Sequence, residues 1–223
     1  MRAITGEDHH HRVRYAVDGA DTTAEAEVVA IVAGRQPRVA GLGLETAAVR
    51  HDRHGVNVGP RLETDEPGIF PTDDLVGHPM FAHWATAQAM ALTRHLMDVP
   101  VAFPLPEHNS AAIFAYPEIV MVGLTEQEAR DKGLDVGVAV YDYRADARAQ
   151  ISVEADGLLR IVYRRDDRRI LGIHAMIEGA ADLMGEAALA VRLGLTVEQL
   201  ASATRPHPTL TEVFGLAAAC APR

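Results

Sequence analysis

Leu158-Leu159-Arg160-Ile161-Val162-Tyr163-Arg164, then a charged Arg165-Asp166-Asp167-Arg168-Arg169 turn, then Ile170-Leu171-Gly172-Ile173-His174-Ala175-Met176, is the stretch from which the fold is read. Two runs rich in Leu, Ile, Val and Tyr on either side of a short polar turn predict antiparallel neighbours. Upstream, Val136 to Tyr143 has the same character, and Asp156-Gly157 punctuates the passage into Leu158. Ala111 to Val122 reads as a further strand. Thr125-x-x-Glu128 reads as the capping box of a helix that ends at Gly133. Downstream, apolar residues at helical spacing predict helices over about Ala180 to Leu193 and Thr196 to Ala203, which cover the sheet. Strands followed by helices make this half α+β.

The first hundred residues read differently. Arg12 to Val17 alternates as one strand of an antiparallel piece within residues 1 to 33, and Ala26 to Ala33, apolar but for Glu27, is read as a strand of the buried type. Gly34-Arg35-Gln36-Pro37 ends that run, and Gly41-Leu42-Gly43-Leu44-Glu45 is expected to start a short helix. Val56 to Leu62 alternates as a strand. Glu66-Pro67-Gly68-Ile69-Phe70 is expected to lead from a tight turn into another strand, which stops at Pro71-Thr72-Asp73-Asp74. His78 to Met97 is expected to be helical, with Met80, Phe81, Trp84, Ala87, Met90 and Ala91 on a broad apolar face. Proline-rich Val99 to Pro106 is the expected linker, dividing the chain into 1–103 and 107–223. The first part has no complete βαβ unit to bind a nucleotide and looks like return segments of larger sheets. Exposed edges and an apolar patch are expected there.

The chain has 223 residues, 48% of them apolar, enough to bury a sizeable core. A net charge of −10 argues against nucleic acid or an anionic membrane as main partner, since both need a cationic surface. No apolar run reaches the roughly 18 to 20 residues of a membrane span, and no signal-peptide core follows Met1, so a cytoplasmic setting is expected. Cys220 is the sole cysteine, which excludes an internal disulfide and any Cys-x-x-Cys motif. His9-His10-His11 is no metal site by this reading. Three adjacent strand residues cannot all face one ion, and no acidic partner is suitably spaced.

Arg205-Pro206-His207-Pro208-Thr209-Leu210-Thr211-Glu212 holds the candidate chemistry. Two prolines restrict the backbone around His207, because each ring fixes its own φ and limits the residue before it. Thr209-x-x-Glu212 reads as a capping box opening a helix over Val213 to Ala221, and this alone would account for both residues. It also places a carboxylate about one helical turn from an imidazole. A carboxylate that fixes the tautomer and raises the basicity of a histidine makes a general acid/base pair.

Six segments in order carry a family resemblance. They are Ala33-Gly34-Arg35-Gln36-Pro37 with Gly41-Leu42-Gly43-Leu44-Glu45; Val76-Gly77-His78-Pro79-Met80-Phe81-Ala82-His83; Tyr116-Pro117-Glu118-Ile119 with Val122-Gly123-Leu124-Thr125-Glu126; Ile170-Leu171-Gly172-Ile173-His174; Gly185-Glu186-Ala187-Ala188-Leu189-Ala190; and His207-Pro208-Thr209-Leu210-Thr211-Glu212. The ordered set resembles the C-terminal half of the flavin-dependent pyridine nucleotide-disulfide oxidoreductases, most closely the dihydrolipoyl dehydrogenases. The resemblance implies that His207 is the acid/base exchanging a proton with a dithiol, that Glu212 orients it, and that a cis peptide precedes Pro208. It implies FAD contacts at Asp74, Phe81, Ala82 and His83, a nicotinamide-nucleotide contact near Gly34, and FAD and NAD(P) as cofactors. It also implies a dimerisation domain over 107–223, whose histidine serves the partner subunit of a homodimer, and a lipoyl or small-molecule disulfide substrate.

The family's Gly-x-Gly-x-x-Gly turns and its Cys-x4-Cys pair are absent from the chain. Asp73-Asp74 stands where relatives have Gly-Asp, and Arg205 where dihydrolipoyl dehydrogenases often have another histidine. The chain alone is therefore expected to be inactive, its partner being a missing N-terminal half. A vestigial dimerisation or interaction module and a glutathione reductase-like fragment are the alternatives.

Overall fold

The computed structural model describes residues 1–153 and 156–222, and the chain divides into two compact units, Met1–Gln36 and Pro37–Arg223. The first unit is an antiparallel meander of β1 (Ala3–Glu7), β2 (His10–Val17) and β3 (Ala20–Ala26). Asp18 and Gly19 both take positive φ at the β2–β3 turn, the backbone that two-residue hairpins favour. His11, Val13 and Tyr15 share the half-buried face of β2, as alternation predicts.

The buried strand expected over Ala26 to Ala33 does not form. β3 ends at Ala26, and Val28, Ile31 and Val32 are 74%, 71% and 90% exposed. A strand that is apolar on both faces needs pairing strands and covering layers. The first unit is a single three-stranded layer with no second layer to cover it, so the run becomes part of the apolar exposure expected in this region.

In the second unit, β4 (His51–Asp52) and β5 (Gly55–Val56) form a minimal hairpin, followed by a 3-10 turn at Asp73–Val76 and α1 (Ala82–Leu96). Residues 41–45 form turns rather than a helix. Of the strand expected over Val56 to Leu62 only Val56 is paired, and Glu66 to Phe70 turns without continuing as a strand. Val56 and Leu62 are nevertheless buried, so the apolar alternation finds packing but no ladder partner. The helix expected from His78 starts at Ala82, because Pro79 restricts the residue before it and supplies no N–H.

The main sheet consists of β6 (Ser110–Ile113), β7 (Ile119–Gly123), β8 (Val136–Asp142), β9 (Leu158–Arg164) and β10 (Ile170–Met176), all antiparallel in the order β6-β7-β10-β9-β8. The single strand expected over Ala111 to Val122 is thus two. Pro117 cannot donate to a ladder, and the chain reverses around it. α2 (Glu126–Asp131) carries the expected capping box, with Thr125 Oγ1 accepting from the Glu128 N–H at 3.2 Å and Glu128 Oε2 accepting from the Thr125 N–H at 2.8 Å. α3 (Ala147–Ser152) was not anticipated. It is one short turn-and-a-half nucleated by the buried Asp146, whose Oδ1 accepts from Arg148 and Ala149.

α4 (Ala180–Leu193), α5 (Val197–Ser202) and α6 (Glu212–Ala219) complete the α+β unit. α4 lies across β7 and β10, and α6 across β8 and β9. Val120, Val122, Leu159, Ile161, Ile173 and Ala175 from the strands meet Ala187, Ala190, Val191, Val213, Phe214 and Ala217 from the helices in one buried cluster. Each strand sends alternate side chains the other way. Met121, Val140 and Met176 are exposed, and they belong to strands whose neighbouring positions are fully buried. Among the described residues, no helix is long and apolar enough to cross a membrane.

Candidate active site

His207 stands on the loop between α5 and α6, and Glu212 is the first residue of α6. Glu212 is placed by the packing of its helix, since Val213 and Phe214, the next two residues, are fully buried against the sheet. Its two carboxylate oxygens do separate work. Oε2 accepts from the Thr209 N–H at 2.8 Å, and Oε1 accepts from His207 Nδ1 at 3.0 Å. The loop is therefore folded back onto the helix start by one side chain.

Only half of the expected capping box is present. The Thr209 hydroxyl donates to the Pro206 carbonyl at 2.7 Å instead of accepting from the helix, and the N-cap is Thr211. That hydroxyl closes the turn through Pro206 and Pro208. The His207–Pro208 peptide is cis, as the resemblance implies.

The Thr209 N–H first, and the His207 ring second, hold the Glu212 carboxyl below the usual carboxylate range. With Nδ1 directed to an anion, the neutral ring carries its proton on Nδ1 and leaves the Nε2 lone pair free to take another. The His207 side chain is 69% exposed, so Nε2 is open to a reactant from outside. The arrangement fixes the ring's tautomer and leaves its second nitrogen outward.

The expected flavin residues lie elsewhere on the second unit. Phe81 is the N-cap of α1, which has neither a capping side chain nor an acidic residue in its first turn. The N–H groups of Ala82, His83 and Trp84 consequently have no intrahelical acceptor. The Phe81 and His83 rings stack at 5.2 Å, and His83 Nε2 donates to the Ser110 carbonyl at 2.8 Å. Asp74 lies in the 3-10 turn just before. Asp73 keeps the left-handed backbone that a glycine adopts readily, with φ of 64°, and its N–H donates to Gln88 Oε1 at 2.7 Å. Gln88 is buried on the apolar face of α1. It was not anticipated, although a polar residue one turn from Trp84 within an apolar stripe was the available signal. Gly34 belongs to the first unit, with φ of 101° and open space where a side chain would be.

The N–H groups at the start of α1 could face electron-rich atoms of a ring system, which is the chemistry a flavin would ask of them. The phosphate-cradling glycine turns are absent from the sequence. Among the described residues no cluster of His, Cys, Asp and Glu could hold a metal ion, and Cys220 is exposed.

A model of the pyridine nucleotide-disulphide oxidoreductase dimerisation domain matches residues 109–218, which contain the whole five-stranded sheet, its covering helices and the dyad. Residues 109–218 are a dimerisation domain of the pyridine nucleotide-disulphide oxidoreductases. The chain is 34% identical over 207 residues to dihydrolipoyl dehydrogenase of Geobacillus stearothermophilus, an alignment covering 90% of this chain and 43% of that protein. Dihydrolipoyl dehydrogenase of Thermus scotoductus is 32% identical, with 91% and 44% covered. Crystalline LpdA from Mycobacterium tuberculosis superposes with a TM-score of 0.87 at 25% identity, over 98% of this chain and 47% of LpdA. The chain thus spans under half the length of these oxidoreductases.

Proposed function

We propose that the chain supplies the acid/base and the dimer-forming half of a dihydrolipoyl dehydrogenase-like disulfide oxidoreductase, and is inactive alone. The observation that carries this reading is the His207–Glu212 hydrogen bond of 3.0 Å, with the second carboxylate oxygen committed to the Thr209 N–H. In this proposal residues 107–223 are the dimerisation domain and residues 1–103 are partial segments of the NAD- and FAD-binding domains. FAD, when bound, would supply the electron relay between NAD(P)H and the disulfide, with Asp74, Phe81, Ala82 and His83 along one edge of it.

The chain's own contribution is proton management. Attack on a disulfide requires a thiolate, and a departing thiolate requires a proton. His207 Nε2 removes the proton from the attacking thiol of a lipoyl-type substrate and returns it when the cycle reverses. Glu212 keeps Nδ1 protonated throughout and stabilises the imidazolium. Both thiols of the redox pair must come from the missing half, because Cys220 is the chain's sole cysteine. The outer sheet face bearing Met121, Val140 and Met176, with Arg160 between them, is the proposed surface for a second copy.

The purified chain is expected to be colourless, to form a dimer in sedimentation, and to leave lipoamide unreduced with NADH and added FAD. A flavin spectrum with turnover from the chain alone would overturn its assignment as a half-enzyme. Mixing it with a first half that carries a Cys-x4-Cys pair should restore turnover, and His207→Ala should lower that turnover by about 10² or more. Reconstituted activity indifferent to His207→Ala would leave only a dimerisation module.

A further inference from the structure

We propose that Arg205 is the positioning residue of the dyad, its buried guanidinium locking the joint between the His207 loop and the helix that carries Glu212. The inference rests on the reading of His207 and Glu212 given above. The Arg205 side chain is 8% exposed and makes four hydrogen bonds to protein groups. Nε and Nη2 both donate to Glu186 Oε1 on α4, at 3.2 and 2.5 Å. Nη2 also donates to the Leu200 carbonyl of α5 at 3.1 Å, and Nη1 to the Ala203 carbonyl beyond it at 2.9 Å.

The third wall is α6 itself. A Cβ placed on Gly215 would lie 2.5 Å from Arg205 Nη1, so the guanidinium occupies the space that the missing side chain leaves. Glycine inside a helix is unfavourable relative to alanine, and here its smallness makes room for a cation rather than a turn. One planar fork therefore touches α4, the end of α5 and the first turns of α6. The two groups of the dyad lie on opposite sides of that junction: His207 is two residues after Arg205, and Glu212 is three residues before Gly215.

Arginine suits this place because its fixed donor fork meets carbonyls and a carboxylate in several directions at once, which a single ammonium cannot do. Its charge is balanced by Glu186.

The test reads the tautomer of His207 in the full chain, by ring 15N shifts at a pH where the ring is neutral. The unaltered chain should show the Nδ1–H form. Glu212→Ala should lower the ratio of Nδ1–H to Nε2–H about tenfold, as loss of a hydrogen bond to a charged group predicts. Arg205→Met should lower the same ratio at least about threefold with its far-ultraviolet circular dichroism retained, and Arg205→Lys should fall between. A ratio unmoved by Arg205→Met but lowered by Glu212→Ala overturns the positioning role while leaving the dyad intact. A ratio unmoved by Glu212→Ala refutes the dyad itself. Should Arg205→Met fail to fold, Gly215→Ala decides, since it displaces the guanidinium while keeping the Glu186 partner. It is expected to lower the ratio, and an unchanged ratio overturns the proposal.

Discussion

Truncation of Phe214 to alanine is expected to be among the costliest single changes in the second unit. The side chain is fully buried within the cluster formed by β8, β9 and the helices, two residues after Glu212. Removing a buried phenylalanine to alanine costs about 3 to 5 kcal/mol, from lost transfer free energy and from the cavity left behind. For a unit of this size each kcal/mol lowers the unfolding temperature by roughly 2 to 4 °C, so the midpoint should fall by roughly 6 to 20 °C. Phe214→Leu removes three carbons and, at ~0.8 kcal/mol for each buried one, should cost about half as much. Urea unfolding followed by fluorescence of Trp84, the chain's sole tryptophan and buried on α1, gives the comparison directly. The midpoint should move while the denaturant slope stays constant. A loss below about 1 kcal/mol would refute the view that Phe214 anchors the helix carrying Glu212.

The cap at Asp146 should behave as an acceptor rather than as a charge: Asp146→Ala is expected to cost about 1 to 2 kcal/mol and Asp146→Asn much less, because an amide oxygen can still receive the Arg148 and Ala149 N–H groups. Equal midpoints for the two variants would contradict that account. Stability should fall in two stages on acidification. Burial holds the His174 ring below its ordinary 6.5, and its Nδ1 has no partner, so the unfolded chain takes a proton there first and stability declines as pH drops below about 6.5. The Asp142 and Asp167 carboxyls are held down to about 2 by Arg144 and Arg164, below the unfolded value of 3.8, so the stability they confer is present above about 4 and lost as pH falls towards 2. Thermal midpoints against pH, for the unaltered chain and for His174→Gln, should show the first stage shrink in the variant, the remainder coming from His108, whose ring burial also holds below its ordinary value. A first stage undiminished in His174→Gln would assign it to another group.

The sequence by itself determined β8, β9, β10, α4 and α5 almost to the residue. Each is a contiguous run whose apolar period matches its own structure and whose partners lie in the same chain. The His207–Glu212 pair was legible for a similar reason, since five residues and two prolines leave little freedom in where the imidazole stands. Only the tertiary structure decided the rest. Ala26 to Ala33 has the composition of a buried strand, but a strand buried on both faces needs covering layers, and the unit it belongs to is a single sheet. Thr209 has the spacing of a cap, yet its hydroxyl closes the turn on the Pro206 carbonyl and the N-cap is Thr211. Arg205, read in the sequence as a substitution near a histidine, became a clamp only where α4, α5 and α6 meet. Local pattern records what a segment can form. Which of those forms persists is set by the groups that packing brings to it.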